Sequence, residues 1–215
     1  MAGAERSSGL SPALRAHALA QLHGHLNACR LCLEAGHEVF PRAIYSGVSG
    51  ARILLVGQAP GITEKEAGRP FNAGSGTRLF AWLRQAGLDE DRFRSQQYMT
   101  AVTKCYPGRG RGASGDRVPG REEQALCRPY LEAEIQLVDP WLVIPVGRLA
   151  IETILEDRAP LESVIGKEYL RHGRWVIPLP HPSGASRWHQ LPENRRLVRR
   201  ALERLRSRLA ALGLP

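Results

Sequence analysis

Long apolar runs and lysine are scarce in this sequence of 215 residues. No stretch is long and apolar enough to span a bilayer, which argues against an integral membrane protein. The first twelve residues are small and polar and lack the apolar segment of a secretory signal. By exclusion, we expect the protein to work in the cytoplasm of a microbe. The hydrophobic fraction of 43% is typical of a globular chain, and we expect residues 1–10 to be disordered and residues 11–215 to form one domain.

The charge is strongly positive and is carried almost entirely by arginine. Only 3 of the 30 basic residues are lysine, and the formal net charge is +9. A basic domain of this size is typical of proteins that bind nucleic acid. An arginine-rich and alanine-rich genome would give the same composition, so charge alone leaves both interpretations open.

The segment with the clearest functional pattern is GQAPG at residues 57–61, which follows the apolar run Ile53-Leu54-Leu55-Val56. The pattern predicts a buried strand ending in a tight turn. Gly57 and Gly61 allow the backbone to approach a ligand closely, and Pro60 stiffens the loop. The segment lacks the Lys-Ser/Thr of a P-loop and the spacing of a dinucleotide fingerprint, so neither phosphate-binding motif is present.

Periodicity along the chain predicts strands that alternate with helices, which implies a mainly parallel sheet with helices on both faces. Helices are predicted over residues 11–28, 75–87, 121–138, 147–155 and 192–212, and strands over residues 52–57, 98–103, 141–146, 169–170 and 175–179. The last helix carries seven arginines opposite an apolar face, and we expect these arginines to be solvated. Residues 106–120, which lie between the strand predicted at 98–103 and the helix predicted at 121–138, are rich in glycine and arginine. They predict a long flexible loop, either a plain linker or a phosphate-contacting segment.

The chain has four cysteines, Cys29, Cys32, Cys105 and Cys127. In a cytoplasmic chain disulfides are disfavoured, and the spacing of Cys29 and Cys32 suits two thiolates on one metal. A zinc site and an iron–sulfur cluster are both compatible with four thiolates. In either case the metal is expected to be structural, because four thiolate ligands leave no open position.

Several landmarks occur together in one order: the Cys29 and Cys32 pair, GQAPG with GRPF at residues 68–71, TKC at 103–105, CRPYLE at 127–132 and HPS at 181–183. In this combination the sequence resembles the iron–sulfur uracil-DNA glycosylases over about residues 25–205, with features of the families called four and five. The resemblance implies a three-layer α/β/α domain with a central, mainly parallel sheet of four strands. It also implies a [4Fe–4S] cluster on the four cysteines. The implied activity is that of a monomeric, monofunctional enzyme that hydrolyses the glycosidic bond of uracil, or of other deaminated bases, in DNA.

The same resemblance implies roles for individual residues. His181 would contact O2 of uracil, Ser183 a phosphate or the loop, and residues 184–187, ending at Arg187, would form a wedge and backbone clamp. Phe71 would stack on the flipped base. The alternatives without a functional role are that His181 is exposed to solvent and that Phe71 only packs in the core.

Two positions lack a polar side chain that related enzymes carry. Ala59 lies where other uracil glycosylases carry a water-activating Asp or an Asn, a loss that the iron–sulfur families share. Ala101 lies where family four carries an Asn that pairs with uracil, and in this it is similar to family five, which tends to have small residues there. Gln58, Asn72 and His181 are therefore the polar side chains left to act on the base, and Asn72 is equally suited to forming a turn. Such a sparse set predicts relaxed base choice or slow turnover. The alternatives are a weakly catalytic iron–sulfur protein that binds damaged or single-stranded DNA, and a zinc protein that binds a small phosphate ligand at GQAPG.

Overall fold

The computed structural model describes residues 10–110, 115–184 and 186–214. The predicted disorder of residues 1–10 falls, but for Leu10, outside this range. The strands are β1 (Ile53–Gly57), β2 (Tyr98–Ala101), β3 (Leu142–Pro145), β4 (Tyr169–Arg171) and β5 (Arg174–Val176). The helices are α1 (Pro12–Ala28), α2 (Leu31–Glu34), α3 (Ile62–Ala67), α4 (Ala73–Gln85), α5 (Glu90–Gln96), α6 (Arg121–Val138), α7 (Arg148–Leu155), α8 (Leu161–Val164) and α9 (Pro192–Ala211), with a 3₁₀ turn at Trp188–Gln190.

The five strands form one sheet in the order β2-β1-β3-β5-β4. The pairs β1–β2, β1–β3 and β3–β5 are parallel, and β4 pairs with β5 in the antiparallel direction. The five strands predicted from the periodicity are therefore present, whereas the sheet of four strands implied by the resemblance is wrong by one edge strand. The cause lies in the turn between β4 and β5, where His172 and Gly173 both have positive φ, at 45° and 72°. Such a turn matches the twist of a tight hairpin, so it folds β4 back onto the sheet edge.

Burial of the central strands fixes the middle layer. All five residues of β1 and all four of β3 are buried, as a parallel strand covered on both faces requires. Helices α1 and α6 pack against each other, and α4 packs against α5 and α9. This is the three-layer α/β/α architecture that the sequence predicts. Among the described residues, no helix combines the length and apolar character needed to cross a membrane.

Helix α9 buries the face that its periodicity predicts, including Ala201, Leu205 and Leu209. Its arginines lie mostly on the outer side, but two of them brace the sheet edge. Arg204 donates to the carbonyl of Gly166 at 2.8 Å, and Arg208 forms two hydrogen bonds, of 2.9 and 3.1 Å, with Glu168. The arginine-rich helix is thus partly an internal brace.

Residues 106–120 differ from the expected flexible loop, because the base of this segment is a short hairpin. Arg109 and Asp116 form an antiparallel bridge, and the N–H of Gly110 donates to the carbonyl of Gly115 at 3.0 Å. Arg117 then forms two hydrogen bonds, of 2.6 and 2.7 Å, with the buried Glu123 at the start of α6. Residues 111–114 lie outside the described part of the chain, so the expectation for them is not addressed.

Candidate functional site

A cavity of about 500 Å³ opens at the carboxyl ends of β1, β2 and β3. Its volume lies in the range of sites that enclose small ligands, and its position is the usual ligand site of an open parallel sheet. Most of the predicted site residues line it, namely Gly57, Gln58, Ala59, Pro60, Gly61, Phe71, Asn72, His181 and Ser183. Arg187 does not line the cavity; it is exposed and lies just before the 3₁₀ turn. Ala185 of the predicted wedge is outside the described residues.

His181 is held in one tautomer by its neighbour two residues on. The backbone N–H of Ser183 donates to Nδ1 of His181 at 3.2 Å, and the Ser183 hydroxyl lies 2.9 Å from the same nitrogen. Because a backbone N–H can only donate, Nδ1 must be an acceptor, and the proton of the neutral ring is on Nε2. Burial, and secondarily the charge of His189, lowers the pKa of His181. The ring is therefore a neutral N–H donor in the wall of the cavity.

The backbone around His181 requires glycine at one point. Gly147 has φ of 88°, and a Cβ there would lie 3.1 Å from Cδ2 of His181. The loop that carries His181 is also tied to α4, because Arg78 donates to the carbonyl of Pro182 at 2.5 Å. Arg78 lines the cavity as well and adds a positive charge that the sequence analysis does not identify.

Phe71 lies across the end of β1 in an unusual backbone conformation. Its φ is 50°, in the left-handed region that a non-glycine residue seldom adopts. A Cβ on Gly57 would lie 3.1 Å from Cζ of Phe71, so the ring rests on the glycine that ends β1. The conformation is held by Arg94, which donates to the carbonyls of Pro70 and Phe71 at 3.0 and 2.8 Å. Phe71 is half-buried, and it both packs on the core and lines the cavity.

Glu64 joins the two loops that carry the polar residues. Its carboxylate accepts hydrogen bonds from the N–H groups of Gly61 and Asn72, both at 3.0 Å. The side chain of Asn72 is used within the same loop, since Oδ1 accepts from Arg69 at 2.8 Å and Nδ2 donates to the carbonyl of Thr63 at 3.3 Å. Gln58 lines the cavity, and its carbonyl accepts from the N–H of Thr103 at 3.3 Å. Of the predicted polar set, Asn72 is thus the one whose side-chain oxygen and nitrogen are both engaged by protein groups, whereas His181 is engaged only at Nδ1 in the described structure.

The four cysteines are all free thiols and line a second, mainly apolar cavity between α1, α2, α6 and the end of the β2 loop. Burial, followed by the charges of neighbouring cysteines, raises the pKa of Cys32 to about 11 and that of Cys105 to about 12. Burial also raises the pKa of Cys127. Thiols that raise one another's pKa repel as thiolates, and a positively charged metal group would relieve that repulsion. The donor set therefore fits a thiolate-bound metal group, although in the described part of the chain no three His, Cys, Asp or Glu side chains converge as ligands of a single ion.

A buried polar network that the sequence analysis misses separates the two cavities. Lys104, next to Cys105, forms an ion pair of 2.7 Å with Glu134, and both side chains are at most 1% exposed. Nζ of Lys104 also donates to the carbonyl of Ala101 at 2.5 Å and to Thr100 at 2.9 Å. Thr100 and Ala101 line the first cavity, whereas Lys104 lines the cysteine cavity. The ion pair thus joins the floor of one site to the wall of the other.

The fold and the two sites define the class. The family described as the uracil DNA glycosylase superfamily matches residues 45–206, and the chain belongs to this superfamily. It is 32% identical to the Type-4 uracil-DNA glycosylase of Thermotoga maritima over 84% of this chain and 87% of that protein. It is 31% identical to the Type-4 enzyme of Sulfurisphaera tokodaii, over 65% of this chain and 63% of that protein. The Type-5 uracil-DNA glycosylase of Mycobacterium leprae is 31% identical over 59% of this chain and 57% of its own length.

Proposed function

We propose that this protein is a DNA repair glycosylase that hydrolyses the bond between uracil and deoxyribose in DNA. The observation that carries the proposal is the neutral His181 ring, whose Nδ1 is occupied by Ser183 and whose remaining proton is on Nε2. When the C1′–N1 bond breaks, negative charge develops on O2 of the departing uracil. A fixed N–H donor in a largely buried site stabilises such a charge without reorganisation.

The remaining wall of the cavity supports a flipped base as ligand. Phe71 offers an aromatic face for stacking, and a base that leaves the duplex needs such a platform. Because the ring rests on Gly57 and is held through Arg94, it is positioned before DNA arrives. Gln58 and the backbone N–H groups near Gly61 are candidates to contact the base edge, and Asn72 acts in this proposal mainly by fixing the loop.

The part of the site that faces the DNA backbone is less enclosed. We assign Ser183, Gly184 and Arg187 to contacts with phosphates on either side of the flipped nucleotide, and Arg78 to the same surface. Arg78 and Arg187 are exposed, which suits residues that meet a polyanion. The cavity is built by elements of one chain, which supports a monomer as the working form, and a substrate in cellular DNA is consistent with the cytoplasm as its location.

Cys29, Cys32, Cys105 and Cys127 would hold a [4Fe–4S] cluster in the second cavity. When bound, the cluster would supply no chemistry to base release; it would cross-link α1, α2 and α6 to the loop that follows β2. What supports this is that all four thiols line one cavity and that the sequence resembles the iron–sulfur families. Replacing Cys29 by serine would then lower the iron content and soluble yield of the purified protein, and normal iron content would contradict the assignment.

The direct test is base release from labelled oligonucleotides, measured as strand scission after alkali. The substrates would carry one uracil, hypoxanthine or xanthine, in single strands and in duplexes. We expect scission at uracil, and His181→Ala to lower the single-turnover rate about 10²–10³-fold, the usual effect of losing one oxyanion donor. His17→Gln, on the exposed side of α1, is the matched control. Protein with its full iron that releases no base, yet binds the oligonucleotides, would instead indicate the damage-binding alternative.

A further inference from the structure

The proposed reaction needs a group that takes a proton from the attacking water. At position 59, where other uracil glycosylases carry a water-activating Asp or an Asn, this chain has alanine. Ala59 has no side chain that can accept a proton. Among the described residues that line the cavity, the carboxylates are Glu64 and Asp116. A carboxylate within reach of the water is the common solution for such a step, so the choice lies between these two.

Glu64 is already committed to holding the loops together. It is 8% exposed. One carboxylate oxygen accepts from the N–H of Gly61 and from the Thr63 hydroxyl at 3.1 Å, and the other accepts from the N–H of Asn72. A water or a proton on Glu64 would have to displace these bonds, which would loosen the loops on both sides of the base. Glu64 is therefore a brace.

Asp116 is exposed and keeps lone pairs available. Oδ1 accepts from the Tyr106 hydroxyl at 2.9 Å, and Oδ2 accepts only one long bond in the described structure, from the N–H of Ile62 at 3.3 Å. A Cβ on Gly61 would lie 2.7 Å from Oδ2, so the carboxylate lies directly over the backbone of the GQAPG loop. This is the loop in which Ala59 occupies the water-activating position.

The hairpin at the base of residues 106–120 fixes the position of Asp116. On one side it pairs with Arg109, and the next residue, Arg117, donates its N–H to the carbonyl of Gly108 at 3.0 Å and is locked to Glu123. The carboxylate is thus carried on a strand-like base. The side chain of Asp116 therefore enters the cavity from an element outside the GQAPG segment.

From this placement, and on the basis of the proposed function, we infer that Asp116 is the general base of the reaction. One proton of the attacking water passes to Oδ2 of Asp116 as the water oxygen bonds to C1′. The electron pair of the C1′–N1 bond leaves with uracil, and its charge on O2 is held by the Nε2–H of His181. The products are an abasic sugar with a hydroxyl on C1′, a uracil anion and a protonated Asp116, whose proton returns to solvent or to the base.

The decisive variant is Asp116→Asn, because it cannot take a proton at neutral pH. Its one amide oxygen can accept from the N–H of Ile62, while its NH₂ group donates to the hydroxyl oxygen of Tyr106, so both contacts can be kept. We expect its single-turnover rate on a duplex with one uracil to fall about 10²–10⁴-fold, the range for loss of a general base. Its affinity for the same duplex carrying 2′-fluoro-2′-deoxyuridine, which resists hydrolysis, is expected to stay at the wild-type value. Asp91→Asn, an exposed aspartate on α5, makes the same change away from the cavity and is expected to keep the wild-type rate.

The outcomes separate this inference from the function on which it rests. Wild-type protein that releases no uracil overturns both. Active wild-type protein with an equally active Asp116→Asn variant overturns only the role of Asp116, as does a variant whose rate and affinity fall by the same factor. The variant Asp116→Glu provides a second test of this role, because it keeps a proton acceptor at a shifted position. We expect it to be faster than Asp116→Asn at an unchanged melting temperature, and a Glu variant as slow as the Asn variant would contradict the assignment.

Discussion

The guanidinium of Arg94 donates to the carbonyl oxygen of Phe71 at 2.8 Å, at a residue whose φ of 50° lies in the left-handed region. A left-handed conformation at a non-glycine residue costs about 1–3 kcal/mol and persists only where its surroundings enforce it. Arg94 is part of that enforcement, since its side chain is 14% exposed and it also holds the carbonyl of Pro70. Phe71, which we propose as the aromatic platform for the base, is thus positioned from α5, a helix whose residues do not line the cavity.

Replacing Arg94 by alanine is therefore expected to damage base release through Phe71. Hydrogen bonds from a charged donor contribute about 1.5–3 kcal/mol each, so for the two bonds to Pro70 and Phe71 we expect the free energy of unfolding to fall by about 3–6 kcal/mol. The rate at low substrate concentration should fall together with the affinity for uracil-containing duplex. Urea denaturation and single-turnover assays measure the two effects. Arg92→Ala, on the same helix but exposed, is the control, and equal behaviour of the two variants would disconnect Arg94 from the platform.

Gly76 provides a steric test of the same platform. A Cβ at this position would lie 1.9 Å from the carbonyl oxygen of Phe71, whereas a Cβ on Gly74 would meet nothing within 4 Å. Overpacking usually costs about 1–3 kcal/mol of stability. We expect Gly76→Ala to exceed that cost, because the added Cβ would collide with a backbone atom and not with a side chain that can move. Gly74→Ala, also in α4, is expected to be neutral or stabilising, since alanine is the better helix former. Thermal melts of the two variants compare them directly, and similar melting temperatures would mean that Phe71 can move without penalty.

The sequence predicts the long elements of this fold well, because each carries a strong period. The helices expected at residues 11–28, 121–138 and 192–212 end within one residue of Pro12–Ala28, Arg121–Val138 and Pro192–Ala211. The short helices, such as Leu31–Glu34 and Leu161–Val164, contain too few residues to show a helical period. The strand expected at residues 169–170 is present as β4, but three residues are too few to show from the sequence that it joins the sheet, because that pairing depends on the turn at His172 and Gly173.

In the candidate site, too, the sequence predicts some residues and misses others. Local motifs bring Gln58, Phe71 and His181 to one cavity, because strands of a parallel sheet present their carboxyl ends together. Asp116 could not be found in this way, since its position depends on the pairing of Arg109 across a hairpin whose sequence is mainly glycine and arginine. Composition identifies such a segment as a loop, and only the fold shows that its single acid lies over Gly61.

The buried ion pair between Lys104 and Glu134 makes a strong prediction for stability. Removing one partner of a fully buried pair leaves an uncompensated charge and typically costs about 3–5 kcal/mol. We expect Lys104→Met to fall in this range, measured as the free energy of unfolding in urea. Arg128→Met breaks the exposed pair with Glu132, whose side chains are 59% and 52% exposed, and is expected to change stability by about 0–1 kcal/mol. Two variants of equal stability would show that water reaches Lys104.

The lowered pKa of His181 predicts a particular dependence of stability on pH. An unfolded histidine binds a proton below its ordinary pKa of about 6.5, whereas the folded ring stays neutral to a lower pH because it is buried. Over the pH range between these two values the unfolded state binds more protons, so the free energy of unfolding decreases as the pH is lowered. Above the ordinary pKa both states are neutral and the effect is absent.

His181→Gln isolates this contribution, because His23 and His189 also have lowered pKa values and add to the acid sensitivity of the wild type. We expect the stability of the wild type relative to the variant to be constant from about pH 8 to pH 7 and to decrease on acidification below the ordinary histidine pKa of about 6.5. Urea denaturation at half-unit pH steps measures the difference. A difference that stays constant through the acid range, or that increases on acidification, would mean that the folded ring accepts a proton at least as readily as the unfolded one. In that case the neutral N–H donor proposed for base release would be lost over the same range of pH.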